Sequence, residues 1–168
     1  AWTANKPELK DRNFTLADYQ ALTNGRGIGQ TLFMEVDASD GDYQAEARFF
    51  AGLVGTGGLG GVVVSCRPET DVGFDAWLDE AKALKVNGFR RILHEVPDDV
   101  SLSETFRRNV RKIGKAGLTF GICMFARQHA ITLDLLKACP DQPFILDHCG
   151  NPDVAGGAFE PWAASMKK

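Results

Sequence analysis

The stretch Pro143-Phe144-Ile145-Leu146-Asp147-His148-Cys149-Gly150-Asn151-Pro152 decides how the rest of the sequence is interpreted. Its apolar run, residues 144–146, is typical of a strand buried on both faces of a parallel sheet. The run stops at an aspartate and a histidine, and the glycine, asparagine and proline that follow predict a turn. Two ionisable side chains, Asp147 and His148, are therefore expected at the C-terminal edge of a sheet, where parallel α/β folds carry out their chemistry.

The sequence upstream alternates between apolar runs and helical patterns. Strands are predicted to begin near residues 31, 61, 89, 119 and 143. Helices are predicted over 14–22, 43–53, 74–84, 103–115 and 131–139, with a last one from Phe159. Each strand is thus followed by a helix, which indicates a parallel sheet with right-handed crossovers. The sheet is then either an open, doubly wound one or part of a (β/α)8 barrel.

The distribution of polar residues favours the barrel. They occur at the C-terminal end of strand after strand: Glu35, Asp37, Cys66, Arg67, Arg90, His94, Arg127, His129, Asp147 and His148. In a doubly wound fold the first turn and the switch point would carry most of the contacts, whereas a barrel mouth draws on every strand. A complete barrel needs about 250 residues. The sequence therefore predicts an α/β fold of the TIM-barrel type, with about five β-α units in one partial domain over residues 1–168.

Composition excludes several functional classes. The net charge of −3 and the lack of long Lys/Arg blocks argue against nucleic-acid binding. No apolar span approaches the roughly 20 residues of a transmembrane helix, and no signal pattern opens the chain, so we expect a cytoplasmic protein. The 4 cysteines have no CxxC spacing and are expected to be free, mostly buried thiols. The glycine-rich segment 55–61 precedes a strand rather than following one, which favours a simple turn over a phosphate loop.

Three segments carry a family resemblance: GFRRILHEVPDD at 88–99, FARQ at 125–128 and FILDHCGNP at 144–152. In order and spacing they resemble the amidohydrolase-related (amidohydrolase 2) family, and within it the fuconolactonase and 2-pyrone-4,6-dicarboxylate lactonase-like hydrolases. The likeness runs from about residue 14 to 168. It implies a distorted (β/α)8 barrel, whose second to sixth strands are present here. It also implies hydrolysis of a lactone, ester or amide, or decarboxylation of an aromatic acid.

The same resemblance implies a set of site residues. In the family, the first strand carries a His-x-His pair, the sixth a histidine and the eighth an aspartate that orients or deprotonates water. Only the sixth-strand histidine has a counterpart here, His148, and the sequence contains no His-x-His pair. We therefore expect an internal fragment of a longer hydrolase. The alternative is an incomplete or non-catalytic half-barrel that binds a small acid or self-associates.

Four residues are the candidates for function. His148 is predicted to be catalytic, as a metal ligand or as the group that polarises a substrate carbonyl. Arg90 and Arg127 are predicted to bind a substrate carboxylate, and His94 to hydrogen-bond the substrate. The alternatives are ion pairs within the barrel wall for the arginines and a turn-capping role for His148. One divalent metal, Zn or Mn, is expected at His148 unless the enzyme is metal-independent, as lactonases of this kind can be.

The expected partner is a small-molecule substrate, with no nucleic acid and no membrane. An open half-barrel would expose two strand edges, which favours association into a homo-oligomer.

Overall fold

The computed structural model describes residues 6–10 and 12–168. The chain forms two compact units, Ala1–Val64 and Ser65–Lys168. That residues 1–168 act as one domain stays a prediction. Strand order in the sheet follows chain order, β1-β2-β3-β4-β5. The helices and strands alternate in the order α1 (Leu16–Thr23), β1 (Thr31–Met34), α2 (Tyr43–Leu53), β2 (Leu59–Ser65), α3 (Phe74–Ala83), β3 (Gly88–Ile92), α4 (Glu104–Lys115), β4 (Thr119–Cys123), α5 (His129–Ala138), β5 (Phe144–Leu146) and α6 (Phe159–Met166).

The first unit begins with a capped helix. Thr15 is the N-cap of α1, and its hydroxyl accepts from the Asp18 N–H while the Asp18 carboxylate accepts from the Thr15 N–H. The hydrogen bond from the Thr15 side chain lowers the pKa of Asp18. Strands β1 and β2 pair in parallel, and Phe33 of β1 stacks on Phe50 of α2 at 3.4 Å between ring centroids. Local capping and apolar burial thus produce the predicted helix, strand and helix.

In the second unit, one face of the strands is covered by helices. Strands β3, β4 and β5 pair in parallel, with Phe89 opposite Phe120 and Phe120 opposite Phe144. Trp77 of α3 packs edge-on against Phe89, and Phe106 of α4 against Phe120. These aromatic rings form part of the hydrophobic core of the second unit.

The other face of these strands carries the polar candidates. Because Arg90 lies opposite Gly121 and Gly121 opposite Ile145, these three residues share the face that is turned away from the aromatic core. Ile145 is 44% exposed, and Phe144 and Leu146 are half-buried. The prediction that residues 144–146 are buried on both faces is therefore wrong. The physical reason is that Ile145 lies on the face turned away from the aromatic core, and that β5 is the last strand in the order formed by the described residues.

Most other expectations are confirmed with small changes in bounds. Helix α2 has the predicted limits, Ser103 caps α4 by accepting from the Phe106 N–H, and α5 begins two residues before the predicted start. The predicted glycine-rich turn is shorter because β2 already begins at Leu59. All four cysteines are free, and three of them are buried: Cys66, Cys123 and Cys139. Among the described residues, none of the helices has the length and apolar character needed to cross a membrane.

Candidate active site

The candidate site is built around an unusual turn directly after β5. Residues Asp147–Gly150 form a kinked turn, in which His148 (φ 52°, ψ 32°) and Cys149 (φ 53°, ψ 31°) lie in the left-handed region. Gly150 and Asn151 also have positive φ, at 74° and 46°. Left-handed backbone costs a non-glycine residue about 1–2 kcal/mol. Strain of this kind persists only where the surroundings over-determine it, and it is concentrated at functional sites.

Neighbouring elements hold the turn through its backbone and through Asn151. The Gly150 carbonyl accepts from His129 Nε2 at 2.7 Å, and the Cys149 carbonyl accepts from the Trp162 indole at 2.8 Å. Asn151 Nδ2 donates to the Met124 carbonyl at 2.8 Å. These bonds compensate for the strained backbone and keep His148 at the exposed surface of the turn.

Arg90 lies beside this turn. Its side chain is on β3, only 7% exposed, and its Nη1 lies 3.6 Å from Asp147 Oδ2. It reaches Asp147 across Gly121 of β4, where a Cβ would lie 3.2 Å from Arg90 Cγ and 3.4 Å from Asp147 Oδ2. The absence of a side chain at Gly121 therefore makes room for the ion pair. Asp147 is thereby a carboxylate partner of Arg90.

His94 lies at the C-terminal end of β3, beside the last residue of β4. Its Nδ1 is 3.3 Å from the Cys123 carbonyl oxygen and 3.7 Å from Cys123 Sγ. Its Nε2 is 3.4 Å from the Glu95 carboxylate, and its ring packs on Phe125 with centroids 4.3 Å apart. The imidazole is therefore held at the strand ends, with one edge towards a backbone carbonyl and the other towards an acidic side chain.

Arg127 has a different environment. It lies in the 3₁₀ turn Ala126–Gln128 after β4, and its Nη1 donates to both carboxylate oxygens of Asp98, at 3.1 and 2.8 Å. Gln128 Nε2 donates to the same carboxylate at 2.6 Å. The structure thus brings Arg90 next to the residue that precedes His148, whereas Arg127 is paired with the loop that follows β3.

A metal does not fit the described residues alone. A structural or catalytic zinc site takes three or four protein donors. Within residues 6–10 and 12–168, no group of three or more His, Cys, Asp or Glu side chains is placed to hold a metal ion. His148 contributes one imidazole, which is not a complete site.

Sequence reasoning missed three residues that shape the site: Gly121, His129 and Trp162. A glycine inside a strand is a known sign of close approach by another group, so Gly121 carried a usable signal. His129 was placed only at the strand exit, and Trp162 has no local pattern. Their roles depend on partners 21 and 13 residues away in the chain.

Comparisons with known proteins identify the family and the fold. The sequence model of the Amidohydro_2 family, described as amidohydrolase, matches residues 5–168. No curated protein matches the sequence. A crystal structure of an amidohydrolase from Burkholderia multivorans with bound HEPES is similar, with a TM-score of 0.85 and 18% identity over 98% of this chain and 58% of that one.

Two further solved structures show the same fold. The Burkholderia multivorans amidohydrolase with bound Zn has a TM-score of 0.86 at 18% identity, over 98% of this chain and 58% of that one. Amidohydrolase 2 from Bifidobacterium longum subsp. infantis has a TM-score of 0.73 at 20% identity, over 98% of this chain and 60% of that one. The chain thus spans about three-fifths of the length of the structures it matches. The predicted α/β fold of the TIM-barrel type, present as a partial barrel, is confirmed.

Proposed function

This chain belongs to the amidohydrolase family, and on that premise we propose that it acts in the hydrolysis of a lactone, ester or amide bond in a small carboxylated substrate. One observation carries the proposal. A buried arginine, Arg90, lies on the face of β3 away from the aromatic core, next to a strained turn that presents His148. A fixed cation beside the turn that carries an exposed imidazole is suited to binding an acid while the imidazole acts on a carbonyl of the same substrate.

The chemistry assigns a role to each of these groups. The Arg90 guanidinium offers a planar fork of N–H donors that matches a carboxylate, so a substrate acid group joins or replaces Asp147 there. His148 donates a hydrogen bond to the carbonyl oxygen and stabilises the negative charge that develops on it. Water adds to the carbonyl carbon, the C–O or C–N bond breaks, and a proton from water ends on the departing oxygen or nitrogen.

The test separates binding from chemistry. His148→Ala is expected to lower kcat by about a hundredfold or more, the usual cost of one stabilising donor. Arg90→Met is expected to raise KM mainly, because Arg90 binds the carboxylate before and during reaction alike. Val154→Ala is a matched control, since Val154 is 82% exposed just beyond the turn. Unchanged kcat in His148→Ala would remove His148 from the mechanism.

Arg127 and His94 are proposed as secondary contacts. The Asp98 carboxylate accepts both hydrogen bonds from Arg127 Nη1. Arg127 would therefore bind a substrate carboxylate only if that carboxylate displaced Asp98. We therefore expect Arg127→Ala to change KM less than Arg90→Met. His94 would reach the substrate through the ring edge that now faces Glu95.

We propose that a divalent ion, where one is bound, is held by His148 together with further donor side chains. The described residues bring together no complete ligand set, so donors other than these would have to complete the site. Metal analysis of the purified protein, with His148→Ala alongside, tests this. Zinc or manganese bound at one equivalent and lost in the variant supports His148 as a ligand.

The incomplete set of metal ligands among the described residues favours one second candidate function, a non-catalytic protein that binds a small acid. It predicts that carboxylates raise the Tm and that Arg90→Met abolishes the shift, while no substrate of any class turns over. Association into a homo-oligomer is proposed separately and is measured by light scattering after size exclusion.

A further inference from the structure

Two side chains from different helices act on consecutive carbonyls of the turn that carries His148. His129 at the start of α5 donates to the Gly150 carbonyl, and Trp162 in α6 donates to the Cys149 carbonyl. We infer that His129 and Trp162 are positioning residues, which hold the left-handed turn and thereby aim the His148 imidazole. The inference rests on the proposed role of His148 and extends it to two helices outside the strand ends.

The His129 contact is close and buried. His129 is 6% exposed, and a Cβ at position 150 would lie 2.7 Å from its Nε2 and 3.0 Å from its Cε1. Only glycine therefore permits the approach, and φ of 74° at Gly150 favours glycine independently. Because a carbonyl oxygen only accepts, Nε2 carries the hydrogen. The opposite nitrogen, Nδ1, lies 2.5 Å from the Ser165 hydroxyl of α6, which fixes the ring plane.

The Trp162 contact is equally directional. An indole nitrogen can only donate, so its 2.8 Å bond to the Cys149 carbonyl fixes the plane of the peptide between Cys149 and Gly150. The His129 bond fixes the next peptide plane. These two peptide planes flank Gly150, so the hydrogen bonds fix its φ and ψ and hold the chain immediately after the left-handed residues His148 and Cys149. Helices α5 and α6 thereby anchor the C-terminal side of the turn that carries the His148 side chain.

Hydrogen bonds that only stabilise the fold would show the same distances, so the test uses measurements that are specific to His148. His129→Leu keeps the bulk of the side chain but removes the donor, whereas His129→Gln restores a donor at the tip of the side chain. Trp162→Phe removes the indole N–H together with part of the ring volume, but keeps an aromatic ring beside Phe159, whose centroid is 5.6 Å from that of Trp162. Thr132→Val is the control, because Thr132 is buried on the same helix and bonds Met124 rather than the turn.

Two measurements decide the inference. In turnover assays, His129→Leu and Trp162→Phe are expected to lower kcat about tenfold to a hundredfold, the scale of a misplacement of up to 1 Å, with KM changed less than threefold. His129→Gln is expected to recover most of the loss. In NMR spectra, the two damaging variants are expected to shift the His148 Cε1–H signal and speed amide exchange at residues 149–151, unlike Thr132→Val.

The outcomes separate this inference from the proposed function. If His148→Ala retains full turnover, the proposed function fails, and the NMR measurement alone then decides whether His129 and Trp162 position the turn. If His148→Ala is inactive while His129→Leu behaves like Thr132→Val in both measurements, the inference is overturned. A His129→Gln variant as impaired as His129→Leu would also overturn it, because the donor would then be irrelevant.

Discussion

Replacing Gly121 with alanine tests whether the Arg90–Asp147 pair depends on an empty position in β4. The added Cβ would lie 3.2 Å from Arg90 Cγ, 3.3 Å from Arg90 Cβ and 3.4 Å from Asp147 Oδ2. Such contacts are tighter than ordinary van der Waals packing, so the arginine must move by a few tenths of an ångström. Since Arg90 is a buried side chain on a neighbouring strand, it has little room to do so.

The expected magnitude follows from two opposing effects. Overpacking a well-packed site costs about 1–3 kcal/mol. Alanine also restricts the unfolded chain, which offsets about 0.4–1 kcal/mol. We therefore expect Gly121→Ala to lower the free energy of unfolding by up to about 2.6 kcal/mol and to raise KM for a carboxylated substrate.

The assay is urea unfolding, compared with a matched glycine in another strand. Gly60 in β2 is exposed, and a Cβ there would meet nothing nearer than Gln30 Oε1 at 3.5 Å. Gly60→Ala is therefore expected to be neutral or slightly stabilising. If Gly121→Ala is as stable as Gly60→Ala and leaves KM unchanged, the steric account of the Arg90 site is refuted.

Three further predictions concern thiols, a buried amide and acid stability. Cys149 is the exposed thiol and is expected to react first with an alkylating reagent. Cys139 is expected to react slowly, because burial raises its pKa. Fast labelling of a second cysteine in the native protein would contradict this. Asn109→Ala is expected to lower the free energy of unfolding, measured in urea, by about 1–3 kcal/mol, because the buried Asn109 amide donates to the Pro68 carbonyl. Arg108→Ala is the comparison: it breaks a partly exposed ion pair and should cost less than about 1 kcal/mol. Hydrogen bonds from Arg108 and then Asn109 lower the pKa of Asp71 below its unfolded-state pKa. The Asp71 carboxylate therefore stabilises the fold at pH values above its unfolded-state pKa, and this stabilisation is lost as the pH falls through its folded-state pKa. Wild type should therefore lose more stability than Asp71→Asn on acidification below about pH 4, and parallel curves would disprove the linkage.

The fold was largely predictable because its signals are local. The caps at Thr15 and Ser103 and the apolar spacing of residues 43–53 lie within single elements, and the structure places those helices as expected. The exposure of β5 was not predictable from its own residues, since the exposure of Ile145 depends on what packs against its face of the sheet. The strand-end rule therefore predicts where the candidate side chains lie along the chain, but it does not describe their surroundings.

The details of the site depend on contacts between distant residues. Arg90 and Arg127 look equivalent in the sequence, as single arginines near strand ends. Only the structure pairs Arg90 with Asp147 in the interior and Arg127 with Asp98 on the surface. The left-handed turn at His148 is held by donors from helices whose approach no local pattern encodes.

The most direct test of the central claim is the rate at which the wild-type protein and His148→Ala hydrolyse a panel of carboxylated lactones, esters and amides, with and without added zinc or manganese. The account predicts that wild type hydrolyses at least one class and that His148→Ala does so about a hundredfold more slowly or worse, at equal folded fraction. Equal rates for the two proteins, or no turnover by wild type on any substrate with either metal, would contradict it.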